Sequence, residues 1–210
     1  MRRVFSVMRL VAAAFILAAL VAQLEYTWDF YSGVPNYLVK YLSFFTIQSN
    51  LLAMLALVIG AWYGFAQPDD PHVFSVIRGA VTTYMIVTAG VYYQPFRSFT
   101  LDQPITLPWA NFVLHVAAPA YLLFDWVLAP GRQPVPWRRL WMIMLYPVSW
   151  IFLTMVRAPT INWYPYPFFN PKYAEDGYGT VALYVGAIAV FMIAVDAVVV
   201  ALSRLPTVPS

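Results

Sequence analysis

The sequence predicts an all-α integral membrane protein, a bundle of six transmembrane helices with both termini cytoplasmic, and three observations carry that prediction. The composition is 62% hydrophobic and only 10% charged, with a mean hydropathy of +0.68, far from the balance of a soluble domain. The apolar residues fall into separate blocks of about 20, the length of helix that crosses a bilayer at ~1.5 Å per residue. The basic residues stand at the ends of those blocks and are shared unequally between the two sides.

Taken in order, the spans are predicted at 8–24, 41–63, 73–93, 110–129, 140–157 and 180–203, a single transmembrane domain over 1–210. The first has a basic flank like a signal peptide, but no small-x-small cleavage site precedes "QLEYTW", so it is read as an uncleaved helix. The intervening segments "AQPDDPH", "APGRQPVPW" and "WYPYPFFNPKYAEDGYG" carry turn chemistry. The third and fifth connections are long for plain turns and are candidate lids.

With the N-terminus inside, Arg2, Arg3, Arg9, Arg78, Arg132, Arg138, Arg139 and Arg204 fall on the inner side, against Lys40, Arg97, Arg157 and Lys172 outside. That bias explains the net charge of +3 better than a nucleic-acid partner does. It predicts a multi-pass membrane protein with both termini on the inner side. Trp28, Tyr31, Trp109, Trp163, Tyr164 and Tyr166 are placed in an outer interfacial belt. Cysteine is absent, so thiolate metal sites and cysteine nucleophiles are excluded. His72 and His115 fall on opposite sides of the bilayer, which argues against a haem held by both. No cofactor or metal is expected.

The second span opens with "YLSFFTIQSNLL", an apolar run with a polar middle. On a continuous helix Ser43, Thr46 and Asn50 lie within roughly 60° of one another, while Gln48 points away. Counted inward from Lys40, Thr46 sits roughly 9 Å deep. Counted inward from Trp109 on the fourth span, His115 reaches nearly the same level, with Asn111 one turn outward and Pro119 one turn inward. Pro119 has no N–H for the His115 carbonyl, so the helix should deform there.

An ionisable group within a span faces the bundle interior and is a functional candidate. A neutral imidazole that accepts the proton of a threonine hydroxyl makes that oxygen a nucleophile toward an ester carbonyl. Thr46 and His115 therefore form a candidate catalytic dyad. The competing structural reading has Thr46 bonded to the Leu42 carbonyl, Ser49 and Asn50 holding helices together, and His115 as an interhelical partner.

The strings "YLSFFTIQSNLL", "NFVLHVAAPAYLLFDW" and "LYPVSWIFLTMVRAPTINWYPYPFFNP" together resemble the androgen-induced, or androgen-dependent, family of multi-span membrane proteins and its bacterial six-span relatives, over nearly the whole chain. The resemblance implies an intramembrane threonine hydrolase of fatty acid esters of hydroxy fatty acids. It maps the family's threonine and histidine onto Thr46 and His115.

An ester hydrolase also needs a donor for the developing oxyanion. Ser43, Asn50 and Asn111 are the candidates, and Arg157, with Arg97 as a second option, is the candidate anchor for a substrate carboxylate. Asp125 and Asp196 are expected to pair with Arg138, Arg139 or Arg204. Tyr84, Thr88 and Tyr92 form a stripe on the third span without an assigned role. The expected partners are the bilayer and a lipid or fatty acyl ester. The alternatives are a lipid- or quinone-binding protein or small transporter, which uses the polar stripe without covalent chemistry, and a purely structural membrane subunit.

Overall fold

The computed structural model describes residues 1–31, 33–93 and 106–209. Arg97, most of the third connection and the side chain of Tyr31 lie outside the described residues. The elements run α1 (Arg2–Tyr31), α2 (Tyr37–Ser43), α3 (Phe45–Ala66), α4 (His72–Tyr93), α5 (Pro108–Phe112), a π-helical turn (Val113–Ala117), α6 (Ala118–Leu128), α7 (Leu140–Ile161) and α8 (Tyr178–Leu202). Short 3₁₀ turns stand at Trp137–Arg139, Pro167–Phe169 and Pro171–Tyr173. Among the described residues there is no strand, and six helical stretches are long and apolar enough to cross a membrane.

Six antiparallel crossings bring both termini to one end of the bundle, where Arg2 donates to the Pro130 carbonyl and the N–H of Val208 to the Leu128 carbonyl. α4 is the central element and contacts α3, α6 and α8. Against α1, which brings Ala13, Ile16 and Ala19, α3 presents Ala53, Ala56, Gly60, Ala61 and Gly64. Small residues let the two backbones approach closely, as helices packing in lipid require. At Gly64 a Cβ would stand 2.0 Å from Ser6 Oγ, so the close approach there needs glycine. α7 is peripheral, burying only Ile143, Pro147 and Ala158.

Two expectations are corrected at the terminal end. Arg2, Arg9 and Arg78 are buried there and reach carboxylates inside the bundle. Asp70 accepts from Arg2 at 2.7 Å and also from Arg78, while Asp125 accepts from Arg9 at 2.7 Å and Arg78 at 2.6 Å. Asp125 is thus paired, but with Arg9 and Arg78 instead of Arg138, Arg139 or Arg204. Among the described residues Asp196 pairs with no arginine; its carboxylate accepts from Thr83 at 3.4 Å.

A third correction lies at the opposite end. The second crossing is not one helix from Tyr41, because Phe44 adopts an extended conformation (φ −68°, ψ 130°) that separates α2 from α3. Ser43 and Thr46 therefore belong to different helices, and Thr46 lies in the first turn of α3 instead of two turns inside it.

Candidate functional site

The break at Phe44 puts the hydroxyl and the N–H of Thr46 at an uncapped helix start. The first N–H groups of a helix have no partner within it and must find one outside. The Phe44 side chain provides no cap, and the Thr46 N–H donates instead to the phenol oxygen of Tyr166 at 3.1 Å. The Thr46 hydroxyl lies 3.3 Å from His115 Nε2 and 3.3 Å from the same phenol. Thr46 is free of the Leu42 carbonyl, which accepts from Gln48 Nε2 at 2.7 Å.

His115 is carried on the π-helical turn. Pro119 cannot donate to its carbonyl, and the register slips so that the Ala118 N–H reaches back to the Val113 carbonyl. The predicted disturbance at Pro119 thus takes the form of one wide turn. His115 Nδ1 stands 3.1 Å from the Asn111 carbonyl, an acceptor only, so Nδ1 carries the proton and Nε2 presents a lone pair to Thr46. The Tyr92 ring stacks on the imidazole with centroids 4.3 Å apart and planes at 24°. The Asn111 side chain donates to the Tyr92 hydroxyl at 2.7 Å and so fixes that ring.

A cavity of about 1040 Å³ opens over Thr46 and His115, walled on one side by Met144, Pro147, Val185 and Ile188 and on the other by Gln23 and Lys40. Its size is at the upper end of small-molecule sites and its walls are mostly apolar, with polar groups at few positions. It is suited to an amphipathic molecule whose reactive group sits at Thr46.

The other residues singled out in the sequence are distributed differently. Asn50 is fully buried on α3 and is not among the residues lining the cavity; its amide donates to the Thr46 carbonyl at 2.9 Å and the Leu114 carbonyl at 3.1 Å, a strut between the two dyad-bearing elements. Asn111 lines the cavity and orients the imidazole through its backbone carbonyl. Ser43 accepts from Arg157 at 2.8 Å, and both line a separate small crevice. Among the described residues, the cation that lines the large cavity is Lys40, whose ammonium lies 5.9 Å from the Trp163 ring centroid. The Tyr84–Thr88–Tyr92 stripe divides into a bond to the Ile143 carbonyl, a contact with Ser49 and the stack on His115.

The connection "WYPYPFF", with Pro165 and Pro167 fixing an extended path, is expected to rest in the interface or to roof the bundle. In the structure Tyr166 turns its hydroxyl inward to Thr46. Its ring is held by Phe44 (5.5 Å), Phe168 (5.2 Å) and Trp150 (6.1 Å). Its flanking prolines were a signal of a fixed backbone path, but connecting segments have no periodicity to say which way a ring points. Burial raises the phenol pKa, so Tyr166 keeps its proton. No protein family, no curated protein and no solved structure matches this chain.

Proposed function

We propose that the chain is an intramembrane lipid ester hydrolase in which Thr46 is the nucleophile and His115 the general base. The observation that carries this reading is the 3.3 Å approach of the Thr46 hydroxyl to His115 Nε2, with Nδ1 held by the Asn111 carbonyl, inside a largely apolar cavity. A nucleophile, a base in hydrogen-bond reach and a group orienting the base are the parts of a serine- or threonine-type acyl transferase site. The 3.3 Å spacing suits an unliganded site that tightens around substrate.

Thr46 Oγ1 attacks the ester carbonyl while its proton passes to His115 Nε2. The tetrahedral intermediate collapses by breaking the bond to the alcohol oxygen, which takes the proton from Nε2. Water, activated by the same imidazole, then releases the fatty acid from Thr46. Fatty acid esters of hydroxy fatty acids are the substrate class implied by the family resemblance. The protein is a six-span protein of a bacterial cytoplasmic membrane with both termini inside, which puts the dyad near the outer face and Lys40 near the headgroups.

Labelling of purified wild-type, Thr46→Ala and His115→Ala protein with a lipid-like fluorophosphonate, followed by peptide mass spectrometry, tests the reading. The expected result is a phosphonylated Thr46 that is lost in both variants. If all three proteins are folded and none is labelled, the hydrolase reading fails and the cavity is a non-covalent lipid or quinone site.

A further inference from the structure

The dyad needs an oxyanion donor, and the structure narrows the choice. Asn50 is not among the residues lining the cavity, and its amide donates to the backbone carbonyls of Thr46 and Leu114. Ser43 lies on α2 and donates to the Val39 carbonyl at 2.6 Å. The Asn111 amide is engaged with the Tyr92 hydroxyl. Among the described residues, the donor that touches both the nucleophilic oxygen and the cavity is Tyr166.

We propose that Tyr166 is a third catalytic residue whose phenol O–H stabilises the oxyanion formed when Thr46 attacks an ester, an assignment that rests on Thr46 being the nucleophile. The hydrogen bonds around Thr46 have one consistent direction. His115 Nδ1–H donates to the Asn111 carbonyl, so Nε2 accepts the Thr46 proton. The Thr46 N–H donates to the phenol oxygen, occupying one of its lone pairs. The phenol proton is then left to point at Thr46 Oγ1, 3.3 Å away, where it takes one of that oxygen's two lone pairs.

An entering ester carbon bonds to one lone pair of Oγ1 while the O–H bonding pair stays on that oxygen as its proton leaves for His115. Oγ1 then becomes an ether-like, weaker acceptor, and the carbonyl oxygen, now carrying the former π electron pair as a full negative charge, is the stronger acceptor for the phenol proton. Rotation about one C–O bond transfers the hydrogen bond from Thr46 to the oxyanion, and no atom of the backbone moves. The interaction is stronger in the transition state than with bound ester, as a catalytic donor requires. Pro165 and Pro167 hold the backbone path on both sides of the tyrosine, and the surrounding rings fix its side chain. Its raised pKa keeps the proton available.

The test is steady-state hydrolysis of p-nitrophenyl octanoate in detergent micelles by wild-type protein and by Thr46→Ala, Tyr166→Phe and a variant carrying 3-fluorotyrosine at position 166. Phenylalanine retains the ring contacts and removes only the hydroxyl. Tyr166→Phe is expected to lower kcat by about 10²–10³ with KM within about threefold. The fluorinated phenol, still a donor, should keep kcat within about tenfold of wild type. A Tyr166→Phe kcat within about threefold of wild type overturns the assignment. So does an increase, which would mean that the phenol only blocks the start of α3. A fluorotyrosine protein as impaired as the phenylalanine variant overturns it as well, since packing would then be at fault. If Thr46→Ala turns over at the wild-type rate, the hydrolase reading fails and this assignment fails with it.

Discussion

Replacing Asp125 by asparagine should destabilise the protein severely and leave the chemistry of the folded fraction intact. Asp125 is buried and accepts from Arg9 at 2.7 Å and from Arg78 at 2.6 Å. With Arg2 and Asp70 these residues form a buried group of three cations and two anions, a surplus of one positive charge. Asparagine conserves volume but raises the surplus to two and keeps one acceptor oxygen where the carboxylate had two, so either Arg9 or Arg78 faces an amide NH2 in place of its acceptor. Removing one partner of a buried ion pair costs about 3–5 kcal/mol. At ~2–4 °C per kcal/mol for a chain of this size, the melting temperature should fall by roughly 6–20 °C. Tryptophan fluorescence in detergent, reported by the eight tryptophans, follows the transition. The Arg9→Met/Asp125→Leu double variant should recover part of the loss, because an apolar pair replaces a charge pair without leaving either charge unpaired. A single variant melting within about 2 °C of wild type would refute the view that these charges are desolvated and mutually dependent. Ten residues of helix, ~15 Å, separate Asp125 from His115, so turnover per folded molecule should not change.

Three further outcomes follow from the geometry. Lys40→Gln should raise KM roughly tenfold for ester lipids that carry a free carboxylate and spare their methyl esters, while Arg157→Gln leaves both unchanged; steady-state assays on the paired substrates decide between the two cations. Val148 lines the cavity and is 55% exposed on the outside of α7, so Val148→Trp should obstruct lateral entry and slow long-chain esters several-fold more than short, water-soluble ones, read as the ratio of kcat/KM values. Gly131→Ala places a side chain at φ +92° with its Cβ 1.4 Å from Arg2 Nη1, so it should cost roughly 1–3 kcal/mol and lower the melting temperature by several degrees.

The six crossings were legible because each is a long apolar run, and the first-order pairing of Thr46 with His115 followed from counting turns inward on two antiparallel spans. Pro119 announced a local defect, although not that it would become a π-turn. The break at Phe44 was hidden inside a run of aromatic and aliphatic residues with no glycine or proline to mark it. A positive-inside count attends to chain position and assigns Arg9 and Arg78 only to the inner side; their partners, Asp70 and Asp125, are brought to them by tertiary packing. Lys40 lies on α2, set apart from α3 by the break at Phe44, and Tyr166 lies on a connecting segment, so no helical spacing related either to Thr46. The covalent candidates were thus visible from within their helices, whereas the groups around them depend on how separate segments converge.

The ionic cluster and the Thr46 cavity occupy opposite ends of the same bundle, linked by α3, α4 and the π-turn with α6. Substitutions separated by that distance contribute almost independently. Changes at the cavity wall or at its roof around Tyr164–Asn170 can therefore accumulate without drawing on the stability held at the far end. Such a division favours diversification: one end can preserve the scaffold while the other changes the shape of its cavity.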